Sequence, residues 1–583
     1  MAEERAGTRE FDTRKNLSWM ELFRTFLIAL DPFKLIIAAI GILATALGWW
    51  LISIVFFYSW TEPKGFTNYE ARENEIKDRK EAYKKDGKEE NAAFAKATTE
   101  YNTELARYKL MRSLGGPGGT YRTMPWFEER GRNPFLVARG AVAGAGEKRP
   151  TIISFFADQA PVLVEPLLKF LSPVLGLFDT EANFWVRVYL FCLLVWMLAM
   201  WAFFGGILTR MAIVQIAGKE GGGLRDSIRF VKNRYLSYLA SPIVPILLIF
   251  AVVLGCILFG LFHLIPLFGD IFIDGLFWWI PLGAGFVMAL LVVGLVGYPL
   301  MYTTLSAEGS DTFDALSRSY NYVYESPWSY IWYGFVSVVY GAIVVFFVVF
   351  MTSLMVYLGK WGVSQTPFTQ SANRSPEYLF IYSPTSFGWR ELMLQGSPAA
   401  IMPNPTYGDL VPDEANKELL KIDNRQYIPV NAQANKEYMD EYSWYNYAGA
   451  GMVAFWMTLL FMVMLGFSYS YFWTASSMIY LLMRKKVDEV EIDEIYSEEE
   501  DIEQPVPPPK PAAPAPSSVT MVESPTLRVT PPPVPETPPA PTPPPVVPPS
   551  PPVVPPLPVD PPSPPVVPPS PPVEPPPPPT PTP

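Results

Sequence analysis

Apolar residues in this chain are gathered into six long stretches rather than spread at helical or strand spacing. The hydrocarbon core of a bilayer takes roughly 20 mainly apolar residues per helix, because a helix satisfies every backbone N–H and C=O within itself. The pattern predicts an all-α polytopic membrane protein with six transmembrane helices. The stretches are Leu35–Tyr58, Phe184–Ile207, Ile243–His263, Gly275–Tyr302, Trp328–Leu358 and Tyr447–Met483.

Six crossings divide the chain into membrane helices, loops and two terminal segments. The terminal segments are predicted at 1–33 and 484–583, and the long outer loops at 61–182 and 361–446. The first membrane helix is predicted at 34–60 and the last at 447–483. A four-helix core of two hairpins is predicted over 183–360, with its helices at 183–208, 242–263, 275–303 and 328–358.

Basic residues flank the first and last stretches. Arg24 and Lys34 precede the first stretch, and residues 484–486 are all basic and follow the last. Basic residues accumulate on the cytoplasmic side, so we expect both termini in the cytoplasm and a bacterial cytoplasmic membrane as the location. We also expect the first stretch to be an uncleaved anchor. The loop 304–327 argues against this topology, because it carries four acids and one base.

Before the first stretch, apolar residues recur at helical spacing from Trp19 to Leu30. Ser18 and Glu21 have the spacing of a capping box, and Asp31-Pro32 ends the pattern. We expect an amphipathic helix on the cytoplasmic surface of the membrane. A helix packed on the protein's own cytoplasmic loops is the alternative.

The loop 61–182 begins with a charged helical pattern. One aromatic or apolar residue recurs per heptad in runs between Tyr69 and Tyr108, and acid–base pairs such as Glu73 with Lys77 lie four residues apart. Such pairs stabilise a solvated helix, but one apolar residue per heptad is too few for a strong coiled coil. We expect a charged helix, or a helical hairpin, that projects from the membrane.

The rest of the two outer loops has less regular patterning. The stretch Thr151–Phe178 is amphipathic, is interrupted by prolines and carries Glu165 and Lys169, which argues against a membrane span. We expect it to lie at the membrane interface. Together with the loop 361–446, the first loop is expected to form a small extracytoplasmic cap.

Two loops assigned to the cytoplasm contain related segments. Leu224–Phe230 aligns with Phe313–Ser319 at an offset of 89 residues, which places Arg229 on Arg318. In both copies a glycine-bearing turn precedes a short amphipathic helix and a proline follows it, so we expect two copies of a helical hairpin. Chance similarity between amphipathic helices is the alternative.

Around these motifs, residues 183–360 resemble a group of bacterial multi-span membrane proteins of unassigned function. That group is related to the membrane domain that accompanies some glycerophosphodiesterases. The resemblance rests on Phe313–Tyr320 and its partner segment. It implies a helical-hairpin membrane core and no activity, since the hydrolase portion of such fusions has no counterpart here.

Residues suited to catalysis or metal binding are few. His263 is the only histidine, with Asp270 and Asp274 nearby, and Cys192 and Cys256 both lie inside apolar stretches. A histidine at a helix end is a simpler explanation than a Ser/His/Asp triad. Cysteines in apolar stretches are typical of packing rather than of redox or metal chemistry. We therefore expect no catalytic residue, no metal site and no cofactor.

Transport coupled to ions usually places ionisable residues inside membrane helices, and the last three stretches contain none between their ends. The fourth stretch does carry Gly294, Gly297 and Pro299, as a broken transporter helix does. Packing through small residues such as Gly285 and Ala289 is the simpler explanation.

The chain ends in an acidic and then proline-rich segment. The whole chain carries a net charge of −11, ten acids lie between Asp488 and Glu503, and 40 of the 63 prolines lie from Pro505 onward. Such a composition cannot bury a core, so we expect a disordered tail with polyproline II character. Pro505, Pro508 and Lys510 match a PxxPxK motif for a polyproline-binding partner. An inert spacer is the alternative.

Without a basic field, nucleic acid is not an expected partner. The expected partners are the lipid bilayer and a polyproline-binding protein, and the oligomeric state is left open. We expect a non-enzymatic membrane adaptor that recruits partners through its tail. The alternatives are a carrier or channel for an uncharged or lipid-like substrate, and a membrane-bound lipid enzyme that uses His263.

Overall fold

Among the residues that this computed structural model describes, five helices are long and apolar enough to cross a membrane, and the number is six if a pair of helices bent by 42° is taken as one span. The helical fold class is thus confirmed, with five to six candidate spans. The structure describes residues 18–57, 63–64, 69–85, 90–114, 119–131, 133–138, 160–179, 182–219, 223–367, 376–407, 410–412, 420–423 and 425–496.

The candidate spans are Pro32–Phe57, Phe184–Ala217, Tyr235–Leu264, Pro327–Ser364, Trp444–Val487 and the bent pair Gly269–Leu276 with Trp279–Leu295. The α-helices are numbered here in chain order. The helices are α1 (Thr25–Ala29), α2 (Pro32–Phe57), α3 (Tyr69–Lys85), α4 (Glu90–Leu114), α5 (Pro134–Ala138), α6 (Glu165–Leu177), α7 (Phe184–Ala217), α8 (Leu224–Asn233), α9 (Tyr235–Leu261), α10 (Trp279–Leu295), α11 (Tyr298–Glu308), α12 (Thr312–Glu325), α13 (Pro327–Ser364), α14 (Trp389–Leu394), α15 (Ala432–Asp440) and α16 (Trp444–Val487).

Several spans are longer than the apolar stretches that predict them. Helix α7 continues ten residues beyond Ile207, and α16 has 44 residues. At 1.5 Å per residue α16 is about 66 Å long, roughly twice the thickness of the hydrocarbon core. Hydropathy marks only the part of a helix that matches the hydrocarbon core. The parts of α7 and α16 that continue beyond the apolar stretches were therefore not predicted.

The fourth span is broken rather than continuous. A π-helix, Gly269–Leu276, leads into α10, and α10 ends before Gly297, after which α11 begins. A Cβ atom on Gly294 would lie 2.1 Å from the ring of Tyr320, and one on Gly297 would lie 2.9 Å from Val323. These two glycines therefore let α12 pack closely. Gly285, expected to be a packing residue, has open space around it.

The N-terminal segment packs on the protein's own long helices. A 3₁₀ helix, Ser18–Arg24, precedes α1, and Leu22 is fully buried. The Ser18 hydroxyl lies 3.0 Å from the hydroxyl of Tyr333 in α13, not in the expected capping box, and Ser470 in α16 donates to the carbonyl of Ala29 at 2.8 Å. The segment therefore packs on the protein itself, as in the alternative to a surface helix. Its partners are the candidate spans α13 and α16 rather than the loops.

Helices α3 and α4 form the predicted charged hairpin. Tyr101 of α4 is fully buried, and the guanidinium of Arg79 in α3 lies 5.6 Å from its ring centre. The predicted pair of Glu73 with Lys77 is present at 3.5 Å. The hairpin is therefore held mainly by charged side chains, several of which pack on aromatic rings.

The two outer loops contact each other, as predicted for a cap. The carbonyl of Trp126 in the first loop accepts hydrogen bonds from the amides of Thr385 and Ser386 in the second, at 3.0 and 3.1 Å. The all-α expectation misses four short strands in the second loop, which pair antiparallel as β1 with β4 and β2 with β3. The strands are β1 (Ile401–Pro403), β2 (Leu410–Pro412), β3 (Leu420–Ile422) and β4 (Tyr427–Pro429).

Helix α6 lies against the helical body, and its charges are buried rather than turned to water. Glu165 lies 2.9 Å from Arg130 Nε and 2.6 Å from Lys169 Nζ, and it accepts a hydrogen bond from Tyr469 of α16 at 3.0 Å. The charges that argued for an interfacial position instead neutralise each other. Of the predicted segment, residues 151–159 lie outside the described residues.

Two related sets of helices are α7–α8–α9 and α11–α12–α13. In each set a helix ends at a glycine in the left-handed region: the 34-residue α7 at Gly218, with φ of +68°, and the 11-residue α11 at Gly309, with φ of +61°. A short amphipathic helix follows, and then another long helix. An aromatic stack joins the copies to α16, because Trp473 lies 5.4 Å from Tyr302 and 6.0 Å from Trp201 between ring centres.

Candidate interaction site at the base of the tail

One end of the helical body gathers the ends of α7, α11 and α16, and we call it the tail-side end. Arg210 of α7 donates to the carbonyl of Ser306 in α11 at 2.7 Å, and Tyr480 of α16 donates to Glu308 at 2.8 Å. Gln215 donates to Asp31 at 2.8 Å, which places the start of α2 here as well. Residues 31 and 487 therefore lie at the same end.

Residues 488–496, the strap, fold back onto the tail-side end. The sequence predicts disorder from residue 484, and this is wrong up to residue 496, because α16 continues to Val487 and the strap is held by cationic side chains. Three consecutive strap carbonyls each accept a hydrogen bond from one of them. The pairs are Arg484 Nη1 with Glu494 O (2.7 Å), Lys219 Nζ with Ile495 O (3.2 Å) and Arg210 Nη2 with Tyr496 O (3.0 Å).

The strap also pairs with the backbone of α11. The amide of Tyr496 donates to the carbonyl of Ala307 at 2.8 Å. The last four carbonyls of a helix have no partner within the helix, and Ala307 is one of them. The strap thus completes the C-terminal turn of α11, and Arg210 does the same for Ser306.

The ring of Tyr496 fills the space beside a glycine. Gly309 has a left-handed backbone, and a Cβ atom there would lie 2.8 Å from Tyr496 Cδ1. The guanidinium of Arg234 lies 5.1 Å from the Tyr496 ring centre and 4.3 Å from that of Phe230. Gly309 is therefore required both by its own φ and by the ring that packs on it.

Glu308 joins α11 to α12 and α16. Its carboxylate lies 3.0 Å from Arg318 Nη1 and 3.2 Å from Arg484 Nε, and Tyr480 donates to it. Burial alone would lower the pKa of the Arg318 guanidinium, but its bond to Asp314 and the charge of Glu308 outweigh this and raise the pKa above its ordinary value. Arg318 therefore stays charged at any accessible pH.

The first residue of the strap contacts the second hairpin. Asp488 accepts a hydrogen bond from the Tyr322 hydroxyl and lies 3.9 Å from Arg318 Nη1. Burial, followed by the bond to Asp488, raises the pKa of Tyr322. The strap is thus held at both of its ends, by α12 at Asp488 and by α7 and α11 at Tyr496.

A cavity of about 350 Å³ lies under the strap. Lys219, Glu308 and Arg484 supply its charged lining, and Ile495 and Tyr496 close it from the strap side. Its polar lining and the backbone bonds above describe a cradle for an acidic peptide. In this structure that peptide is the strap itself.

Arg229 and Arg318, which the sequence alignment paired, have different positions on their helices and different contacts. N-caps and buried faces align α8 with α12 at an offset of 88, with Gly223 on Asp311 and Ser227 on Ala315. The predicted pairing of Arg229 with Arg318 is therefore one residue out of register. Arg229 is exposed, whereas Arg318 binds Glu308.

The predicted partner motif of Pro505, Pro508 and Lys510 lies outside the described residues. Sequence reasoning missed Arg210 and Tyr496 as contact residues. Arg210 follows the predicted end of its span at residue 208, so the sequence places it in a cytoplasmic loop rather than in a helix. Tyr496 is the one aromatic residue in the acidic segment 488–503, and that was the available signal.

Comparison with protein-family models, with curated proteins and with solved structures finds no match to this chain.

Proposed function

We propose that the protein is a non-enzymatic membrane adaptor: residues 497–583 recruit a polyproline-binding partner, and the strap ties this tail to the helical body. The capture of three consecutive strap carbonyls by Arg484, Lys219 and Arg210 carries the proposal. Fixing a residue costs about 1–2 kcal/mol in backbone entropy. A hydrogen bond to a charged group contributes about 1.5–3 kcal/mol, which is enough to offset that cost for these three residues.

The tail itself supplies repeated low-affinity sites in this proposal. The unit Ser-Pro-Pro-Val-Val-Pro-Pro occurs at Ser550 and again at Ser563. Polyproline segments are preformed ligands for aromatic grooves, and repetition raises the effective concentration of a partner's binding sites.

The side of the membrane follows from the charges at the tail-side end. Residues 484–486 are all basic, and Lys34 begins the first span from the same end. Under the positive-inside rule the tail-side end faces the cytoplasm, and the hairpin α3–α4 and the cap lie on the other side. Labelling of single cysteines at Ser497 and Thr99 in sealed cells tests this orientation, because only Thr99→Cys would then react from outside.

Co-purification tests the adaptor directly. The full chain is compared with a chain that stops after Tyr496, which keeps the strap and removes every proline from Pro505 onward. A third variant, Pro505→Ala with Pro508→Ala and Lys510→Ala, separates that motif from the repeats. Loss of specific partners in the truncated chain supports the proposal, and an identical set of partners overturns it.

A carrier of lipid-like molecules is the second candidate, and one observation favours it. A cavity of about 580 Å³ lies between α6, α7 and α9, lined by apolar side chains such as Ile249 and Val253, with Arg187 at its edge. Cavities of this size hold small ligands, and the guanidinium suits an anionic head group. Lipid transfer between reconstituted vesicles, blocked by Val253→Trp, would support this function over the adaptor.

A further inference from the structure

The connection between α9 and the π-helix forms a closed tip at the end of the body opposite to the strap. A 3₁₀ helix, Phe262–Leu264, is followed by a turn, and then by the π-helix Gly269–Leu276. The backbone of Gly269 packs directly on His263, since a Cβ atom there would lie 2.3 Å from the carbonyl oxygen of His263. The tip therefore brings two segments together that a wider turn would keep apart.

Three side chains with metal-ligating atoms converge at this tip. One ligand atom each from His263, Asp270 and Asp274 lies within 4.8 Å of the others, and His263 Nδ1 lies 2.5 Å from Asp274 Oδ2. The π-helix has a wider turn than an α-helix, with i→i+5 hydrogen bonds. This geometry carries Asp270 and Asp274, four residues apart, on the side that faces His263.

The charges at the tip are not balanced by the chain. The sequence from Phe262 to Trp279 contains two aspartates and no lysine or arginine. His263 pairs with Asp274. Among the described residues, Asp270 has no basic side chain as an ion-pair partner. A cation from solution is the species that would neutralise the cluster.

We propose that His263, Asp270 and Asp274 bind one first-row divalent cation, with water in the remaining positions. One imidazole and two carboxylates are a borderline-to-hard donor set that suits Zn²⁺ or Mn²⁺ better than a thiolate-preferring ion. The ion joins the end of α9 to the π-helix and fixes the bend of the fourth span. This proposal departs from the expectation that the chain has no metal site, and it is independent of the tail.

Zinc titration of the full chain tests the site. The protein is purified in detergent through a histidine-free affinity tag, stripped with a chelator and titrated calorimetrically with Zn²⁺, and then with Mn²⁺. We expect saturation near one ion per chain. Asp270→Asn is the decisive variant, because a simple His263–Asp274 ion pair does not need Asp270. We expect its affinity to fall by more than the roughly 10-fold to 100-fold cost of losing an outer-shell partner.

Two controls keep the test interpretable. Asp440→Asn, an exposed carboxylate on α15, should bind Zn²⁺ as the wild type does, and His263→Gln should lose binding while eluting as a monodisperse peak. If His263→Gln does not fold, Gly269→Ala, which displaces the His263 backbone, should weaken binding in its place. Absence of saturable binding, or unchanged affinity in Asp270→Asn, overturns the site.

Discussion

The guanidinium of Arg210 lies 3.0 Å from the carbonyl oxygen of Tyr496, a residue 286 positions later in the chain. Its other terminal nitrogen binds the carbonyl of Ser306 at 2.7 Å. One buried cation therefore satisfies the end of a long helix and the root of the tail together.

Replacing Arg210 by Gln should release the strap. The change removes two charge-assisted hydrogen bonds, each worth about 1.5–3 kcal/mol. We expect amide exchange at residues 494–496 to rise by about 10-fold to 100-fold, since 1.4 kcal/mol is a factor of about ten. Hydrogen exchange of the full chain in lipid nanodiscs measures it.

Arg229→Gln is the matched control for that substitution. Arg229 is exposed on α8, and it is the residue that the sequence alignment paired with Arg318. We expect exchange in the strap to be unchanged in this variant. Equal effects from the two substitutions would contradict the role assigned to Arg210.

Gly309→Ala should displace the ring of Tyr496. Both Gly309 and Gly218 end helices with positive φ, but a Cβ atom on Gly218 meets nothing within 4 Å. Gly218→Ala thus measures the backbone cost alone, about 1–2 kcal/mol. Gly309→Ala should lose about 1–3 kcal/mol more through overpacking. Thermal unfolding in detergent compares them, and equal losses would place Tyr496 elsewhere.

Glu165→Gln should destabilise the packing of α6 on the helical body. The variant removes one of the two carboxylates that bridge Arg130 and Lys169 and leaves these buried cations with Glu128 alone, and losing one partner of a buried ion pair costs up to about 3–5 kcal/mol. Glu73→Gln removes an exposed pair on α3 and should cost about 0–1 kcal/mol. Chemical unfolding monitored by tryptophan fluorescence separates the two. Similar losses would contradict the buried cluster.

The same carboxylate predicts a pH dependence. Burial opposes ionisation of Glu165, but the charges of Arg130 and Lys169 outweigh it and hold the pKa of Glu165 well below its ordinary value. A depressed pKa means stability that is complete above the unfolded pKa and is lost as the pH falls toward the folded one. Wild type should lose stability below about pH 5. Glu165→Gln should show a smaller slope, and identical slopes would contradict the ion cluster.

Gly294→Leu and Gly285→Leu test why the fourth span carries glycines. Gly294 lies against the Tyr320 ring, whereas Gly285 has open space. We expect Gly294→Leu to unfold or lose several °C in melting temperature, because the ring must move and overpacking costs about 1–3 kcal/mol. Gly285→Leu should be neutral or stabilising. A larger loss of melting temperature in Gly285→Leu than in Gly294→Leu would contradict this packing role and favour a gating role for these glycines.

Hydropathy predicted the spans because lipid demands about 20 apolar residues per helix, whatever the protein does. The same measure failed beyond Ile207 in α7, where neighbouring helices rather than lipid stabilise the helix. The charges of Glu165 and Lys169 led to an interfacial position for their stretch, since a sequence does not show that Arg130 lies beside them. Compensation between distant charges is visible only once the fold brings them together.

The strap was missed for a related reason. Its composition is acidic and was taken as unable to bury a core, which is true of the tail as a whole. Binding there depends on backbone carbonyls rather than side chains, and every residue type supplies those. The sequence contains the basic partners Arg210 and Lys219, but it does not show that their side chains reach the strap.

Amide exchange at Tyr496 in the full chain tests the central claim most directly. The amide of Tyr496 donates to the carbonyl of Ala307 in α11, so it should exchange far more slowly than its intrinsic rate while the strap is bound. We expect protection at Tyr496 in nanodiscs and its loss in Arg210→Gln. Exchange at the intrinsic rate in the wild type would contradict a tail anchored to the helical body.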